Sequence, residues 1–292
     1  MLDYDHLSAL AAVVRTGSFE KAAQQLGVTP SAVSQRLKLL EERIGAALVV
    51  RGQPNVATPA GARLCRHAED VGLLERALRA DLGELGLAAQ PTTIRIAVNA
   101  DSLATWFVEA MAATEGVLYD LVLDDQDHSA DWLRRGEVAA AVTASTGSVQ
   151  GCGSRPLGAL RYVATASPEF MRRWFADGVD EAALRAAPCL RFNQKDELQA
   201  RWIRNLIDRT VATPTHWLPA SQAFVDGALA GLGWGMNPEP LVRHHLASGH
   251  LVLLAISPLD VSLNWQWSRA VEAALADVTR AVTATARRFL VQ

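Results

Sequence analysis

Cysteine is scarce in this 292-residue chain: Cys65, Cys152 and Cys189 are widely separated, odd in number and form no C-x-x-C pair. That excludes a disulfide framework and a cysteine-built zinc site, and it makes buried structural thiols the expectation. Long apolar runs are also missing. No window approaches the ~18 uncharged apolar residues that a membrane span requires. The opening MLDYDHLSALAAVV has acids where a signal peptide carries positive charge, and no cleavage-like site follows. The expected location is therefore the cytoplasm, with no membrane partner. Catalytic signatures are lacking too: there is no G-x-S-x-G, no H-E-x-x-H, no P-loop, and no G-x-G-x-x-G followed by a suitable acid. The Gly231-x-Gly-x-Gly cluster suits a tight strand approach better, and His128 beside Asp127 has no nucleophile placed with it. The chain is expected to be no enzyme and to need no cofactor or metal.

What remains is soluble globular composition, 50% apolar and 20% charged. The length suits two or three domains of ~100–200 residues. A net excess of basic charge is absent, the formal charge being −3. The average conceals an asymmetry. Between Arg15 and Arg66 stand eight bases (Arg15, Lys21, Arg36, Lys38, Arg43, Arg51, Arg63, Arg66) against three acids (Glu20, Glu41, Glu42). A local basic stretch on an acidic protein points to one dedicated anion-binding face.

That stretch holds three apolar stripes at helical spacing. Leu7, Leu10, Ala11 and Val14 make the first, and Phe19, Ala22, Ala23 and Leu26 the second, with Ser18 as its cap. Gly27 suits the left-handed end of a helix, and Thr29 with Pro30 forms a cap and first-turn pair. In the third helix Val33, Leu37, Leu40 and Ile44 face inward, while Ser31, Ser34, Gln35 and Lys38 share the opposite face. Hydroxyls can approach phosphates, Gln can bond adenine bidentately, and Lys reaches guanine or phosphate. Two helices joined by a short Gly-containing turn predict a helix-turn-helix with the second as reader. The run 46–51 and the turn 52–55 predict a two-stranded wing carrying Arg51. Thr58 and Pro59 then open a helix to about Leu87, whose seam Val71, Leu74, Leu78, Leu82, Leu85 reads as a dimer contact.

Residues 19–26 (FEKAAQQL), 29–42 (TPSAVSQRLKLLEE), Arg51 and 58–61 (TPAG) resemble the head of a LysR-type transcriptional regulator. Val49 stands where that pattern usually has phenylalanine. The resemblance implies a double-stranded DNA partner contacted by Ser18, Pro30, Ser31, Ser34, Gln35, Lys38 and Arg51. It also implies RNA polymerase as a further partner and a homodimer or homotetramer.

Beyond Gln90, Pro91 and Thr92, strands expected at 93–98, 118–123 and 138–142 alternate with helices around Trp106 and Trp132. A second set occupies roughly 160–265, with strands at 161–166, 190–193 and 232–237 and a helix at 221–230. This predicts an α/β domain on a mostly parallel sheet. Ligands of such sheets sit outside the carboxyl ends of strands, so Ser102, Asp124 and Thr143 should face one cleft. Ser102 at a helix start favours a carboxylate, and the acids 124–127 a cation. Trp234 and Trp265 suit aliphatic packing, with core packing as the other reading.

Residues 99–107 (NADSLATWF), 124–128 (DDQDH), 231–238 (GLGWGMNP) and 263–267 (LNWQW) are similar to the ArgP/LysG-type subgroup of LysR regulators, which answers to basic amino acids. Asn237 departs from the isoleucine usual there. The resemblance implies a two-lobed periplasmic-binding-protein-like sensor crossing over near Thr143. It implies an effector set of Asn99, Ser102, Asp124, Thr143, Ser221, Phe224 and Trp234, with lysine or arginine as effector and amino-acid export or metabolism genes as targets. The domains expected are 1–58 (winged helix-turn-helix), 59–90 (linker and dimerisation helix) and 91–292 (effector binding), with lobe I at 91–160 and 266–292 and lobe II at 161–265. Three alternatives remain: a regulator with a different effector, an effector-independent architectural binder, and a stand-alone amino-acid-binding module, which leaves the head without a role.

Overall fold

The computed structural model describes residues 2–81, 92–123, 129–144, 147 and 149–292. Two compact units divide it: the first holds the described residues up to Ile94 with Gly116–Leu118 and Ala270–Leu275, and the second holds the rest.

The head is three short helices, each begun by a side-chain cap and ended by a left-handed glycine. In α1 (Tyr4–Thr16) Asp3 accepts from the amides of Asp5 and His6, and Gly17 ends the helix at φ +67°. In α2 (Phe19–Leu26) Ser18 accepts from the Lys21 amide. In α3 (Pro30–Ile44) Thr29 accepts from Ala32, with Pro30 in the first turn. Leu7, Leu10, Val33, Leu37 and Leu40 close one core. Two stripe residues differ from expectation. Val13 is fully buried where Val14 is only partly so, and Ile44 is exposed. Ile44 is the last helical residue, past the end of the core that Leu40 closes.

The wing, β1 (Val49–Val50) and β2 (Val56–Ala57), is antiparallel with Val49 opposite Ala57. Val49 joins the head core in place of the larger ring. The wing is tied to the turn between α1 and α2: Asn55 donates to the Gly17 carbonyl from its amide at 2.9 Å and from Nδ2 at 2.8 Å. A β-carbon at Gly17 would stand 2.7 Å from Pro54 Cβ, so a side chain there would push the wing away. Thr58 caps α4 (Pro59–Asp81), accepting from the Gly61 amide at 3.1 Å. On α4, Val71 is half-buried while Leu74 and Leu78 are exposed; Leu82 and Leu85 lie outside the described residues.

The second part begins with β3 (Thr92–Val98). A helix follows in three pieces: α5 (Ala100–Ser102), a π-helical stretch Leu103–Phe107, and α6 (Val108–Ala112). Then come β4 (Val117–Leu123), α7 (Ser129–Arg134), β5 (Ala140–Thr143), β6 (Cys152–Ala166), α8 (Pro168–Trp174), α9 (Glu181–Ala186), β7 (Cys189–Arg191), α10 (Leu198–Ile207) and β8 (Thr215–Trp217). The chain ends with α11 (Ser221–Leu229), β9 (Gly235–Pro238), α12 (Glu239–Ala247), β10 (Val252–Leu253), β11 (Leu259–Ser268) and α13 (Ala276–Phe289). The main sheet runs β10-β6-β11-β5-β3-β4, with β9 also on β6.

The sheet is mixed rather than mostly parallel. β3 pairs β5 in parallel and β7 pairs β8 in parallel, but β6 is antiparallel to β9, β10 and β11, and β11 to β5. The reason is connectivity. β6 carries the chain from lobe I, built on β3, β4 and β5, into lobe II, built on β9 and β10, and β11 brings it back alongside. The crossover therefore lies in these two strands and not near Thr143, which ends β5 inside lobe I. Where the lobes join, the ladder slips between Leu263 and Asn264, opposite Gly158 and Pro156. Gly158 sits at φ +110°, and the chain's last residues pack on it: the Val291 carbonyl accepts from the Ala159 amide at 2.8 Å, leaving no room for a β-carbon at 158.

Candidate functional site

Two regions gather the residues expected to carry function. On the head, Ser31, Gln35 and Lys38 are exposed on one face of α3, with Ser34 partly covered among them. Ser31 Oγ lies 3.0 Å from Thr29 Oγ1. Lys38 pairs with Glu42 at 3.7 Å, an exposed contact that an incoming phosphate can displace. Pro30 is exposed at the helix start, so the first turn of α3 is open to a partner. Arg51, on the wing, is exposed with its guanidinium over the Phe19 ring at 5.6 Å. Ser18 is engaged locally, donating to Glu20 at 2.6 Å, a bond that lowers the Glu20 carboxyl below its ordinary range. Arg36 turns back to Asp5 on α1 at 3.2 Å, which leaves its charge off the Ser31–Lys38 face.

In the second region, parallel pairing of Ile96 with Ala140 and of Ala97 with Ala141 brings the carboxyl ends of β3 and β5 to one edge. Asn99 and Thr143 therefore end adjacent strands, about 4.8 Å apart in the pairing direction. Asn99 Oδ1 accepts from the Ser102 amide at 2.6 Å. Both side chains are almost wholly buried, yet among the described residues Asn99 Nδ2 and Ser102 Oγ have no hydrogen-bond partner. Thr143 is held by Gln266 Nε2 at 3.0 Å; the same amide donates to the Gly147 carbonyl at 3.1 Å and accepts from Val149 N at 3.1 Å.

Lobe II reaches this edge through hydroxyls. Ser221 Oγ, at the start of α11, donates to Asp101 Oδ1 at 2.6 Å, and Tyr162 OH donates to Asp101 Oδ2 at 2.8 Å. The structure thus brings Asn99, Ser102 and Ser221 together around Asp101. Phe224 and Trp234 lie deeper. Phe224 packs with Val163, Leu190 and Val225 in the lobe II core, and Trp234 is fully buried against Trp202 at 5.2 Å. Trp265 is likewise buried, its Nε1 donating to Thr279. Asn237 is buried and donates to Thr165 Oγ1 at 2.9 Å, which fixes it in the β6–β9 pair. Asp124 and the acids after it lie outside the described residues.

Asp101, Tyr162 and Gln266 were not singled out from sequence. An acid in the first turn of a helix is ordinary, and its partners lie 61 and 120 residues away. The available signal was its place between Asn99 and Ser102. The thiols are unreactive by environment: burial pushes Cys65 up to about 11 and Cys189 up to about 12. Among the described residues no helix is long and apolar enough to cross a membrane.

The family model for bacterial regulatory helix-turn-helix proteins of the lysR family matches residues 4–62, and that for the LysR substrate binding domain matches residues 88–289. The chain is 45% identical over 285 residues to the HTH-type transcriptional regulator LysG of Mycobacterium tuberculosis, covering 98% of this chain and 94% of that one. It resembles the crystal structure of ArgP from Mycobacterium tuberculosis with a TM-score of 0.80 and 44% identity, over 100% of this chain and 99% of that one. Full-length LysG from Corynebacterium glutamicum with bound effector Arg matches with a TM-score of 0.68 and 36% identity over 100% of both chains.

Proposed function

This chain belongs to the LysR family of DNA-binding transcriptional regulators, and on that premise we propose that its second domain senses a basic amino acid, lysine or arginine. The observation that carries the proposal is a pair of buried polar atoms at the carboxyl end of β3, Asn99 Nδ2 and Ser102 Oγ, that have no partner among the described residues. A buried donor without a partner costs about 1–3 kcal/mol. A ligand carboxylate would accept from both and relieve that cost. Bound arginine in the Corynebacterium relative supports the class of ligand. Thr143 and Ser221 border the same edge, and Phe224 and Trp234 support it from the core of lobe II. Asp124 is assigned to the ligand's side-chain cation on sequence grounds.

The head reads duplex DNA through Ser31, Ser34, Gln35 and Lys38, with Pro30, Ser18 and Arg51 at the backbone. Two heads act together, joined through α4, where Leu74 and Leu78 stand exposed on one face. A ligand that binds one arrangement of the lobes better than another shifts the population of that arrangement, and with it the pairing of heads on DNA. The protein works by binding and not by chemistry, in the cytoplasm, with RNA polymerase as downstream partner and transport or metabolism of the sensed amino acid as the controlled process.

Calorimetric titration of the full chain with lysine, arginine and histidine tests the ligand class. Heat with at least one of them is expected. Binding confined to an uncharged or acidic metabolite would overturn the assignment.

A further inference from the structure

Asp101 is in lobe I, one residue before Ser102, yet its carboxylate is held by two hydroxyls of lobe II, Ser221 Oγ at 2.6 Å and Tyr162 OH at 2.8 Å. Helix geometry does not require this. A first-turn acid is adequately served by the free amides beside it. Tyr162 is fully buried in the β6 segment that pairs with β9, and Ser221 is buried at the start of α11. Two separate elements of the opposite lobe therefore fix the direction of this one carboxylate. In the chain Asp101 falls between Asn99 and Ser102, whose Nδ2 and Oγ have no partner among the described residues and suit a ligand carboxylate.

We propose that Asp101 receives the α-ammonium group of the amino-acid ligand, with Tyr162 and Ser221 as positioning residues that aim it. This rests on the reading that the cleft takes an amino acid. An α-amino acid carries its carboxylate and ammonium on one carbon, so a carboxylate held by Asn99 and Ser102 brings the ammonium to the residue between them. An ionised carboxylate has about four acceptor sites, so one hydroxyl bond to each oxygen is compatible with its accepting from an ammonium as well. The bond is charge-assisted at both ends. Because both hydroxyls come from lobe II, the group that recognises the ligand also ties the lobes, and ligand capture is coupled to their relative placement. Discrimination follows: the site should require the α-amino group whatever the side chain.

The test compares L-lysine with ε-aminocaproate, which lacks only the α-amino group, by calorimetry on the full chain and on Asp101→Asn and Tyr162→Phe. Loss of one charge-assisted bond predicts that the wild type binds ε-aminocaproate about 10–100-fold more weakly than lysine. In Asp101→Asn the preference should collapse towards unity because lysine weakens while the analogue does not. Tyr162→Phe keeps the carboxylate and should narrow the preference partially. Equal wild-type affinity for the two ligands overturns the proposal. So does a parallel loss of both ligands in the variants, which is the signature of a purely structural role. If the wild type bound no amino acid at all, the ligand-class reading would fail first and this proposal with it.

Discussion

Gln266 offers a direct test of how the sensor edge is held. It is fully buried on β11, and its amide joins three groups: Thr143 Oγ1 at 3.0 Å, the Gly147 carbonyl at 3.1 Å and the Val149 N–H at 3.1 Å. Gln266→Leu keeps roughly the same volume and leaves the backbone ladder with Ala141 and Ser154 untouched. The loss is therefore confined to three hydrogen bonds. Each orphaned buried group costs about 1–3 kcal/mol, and Thr143 can recover part of this by rotating its hydroxyl. A net destabilisation of about 2–4 kcal/mol follows for the sensor. At about 2–4 °C per kcal/mol for a domain of this size, its melting transition should fall by roughly 5–15 °C. Differential scanning calorimetry reads this directly, and lysine titration on the same sample should show weaker binding because Thr143 is no longer oriented. A variant that melts within about 1 °C of wild type would refute the claim that the amide fastens β5 to Gly147 and Val149.

Gln35→Ala should relax base preference at one operator position, by about 1–3 kcal/mol of discrimination, in competition binding against point-mutated duplexes. Lys38→Ala should instead weaken all duplexes alike and reduce the salt slope of binding by about one. If the two variants behaved identically, the division of α3 into base-reading and phosphate-contacting residues would be wrong. Replacing both Leu74 and Leu78 by Lys should shift sedimentation equilibrium from dimer towards monomer while the circular dichroism of the chain is retained; an unchanged dimer would exclude α4 as the contact. Asp260 is held below the ordinary carboxylate range by its bidentate bonds from Arg161 at 2.8 Å, with desolvation acting in the opposite direction. Because the folded pKa is depressed, the stabilising effect is present above the unfolded pKa and disappears as pH falls through the folded one. Asp260→Asn should therefore lower the melting point slightly at neutral pH and not at all near pH ~2, the pair being partly exposed and its contribution small.

The head was the legible part of the chain because its signals are local. Caps, a left-handed glycine and a helical stripe each occupy a few residues, and Ser18, Thr29 and Gly27 act where their chemistry says they should. The sensor was legible as alternating elements but not in its pairing. The fifteen-residue β6 was anticipated only from residue 161, because Gly153, Pro156 and Gly158 look like loop punctuation. In the fold Gly153 makes room for the Trp267 ring, Pro156 and Gly158 flank the bulge, and Gly158 meets the chain end. Its direction could not be read either, since antiparallel crossing depends on which lobe the chain enters next. Of the residues gathered around Asp101, Ser102 was expected from its helix start, and Asn99 and Ser221 from the family resemblance. Asp101 and Gln266 were not, because what distinguishes them is a partner more than sixty residues away.

The slip in the β6–β11 ladder has a mechanical consequence. Two continuous strands joining the lobes act as a leaf spring rather than a pin joint: hydrogen bonds resist separation of the strands, while twist along them is soft and concentrates where a bulge interrupts the pairing. That point is Gly158, and the carbonyl of Val291 rests against it. Torque generated by a ligand between the lobes would therefore pass through one glycine into the end of the chain that follows α13. Since no β-carbon fits at 158, the contact is relieved from the other side: removing Val291 and Gln292 should alter how strongly ligand occupancy is converted into a signal.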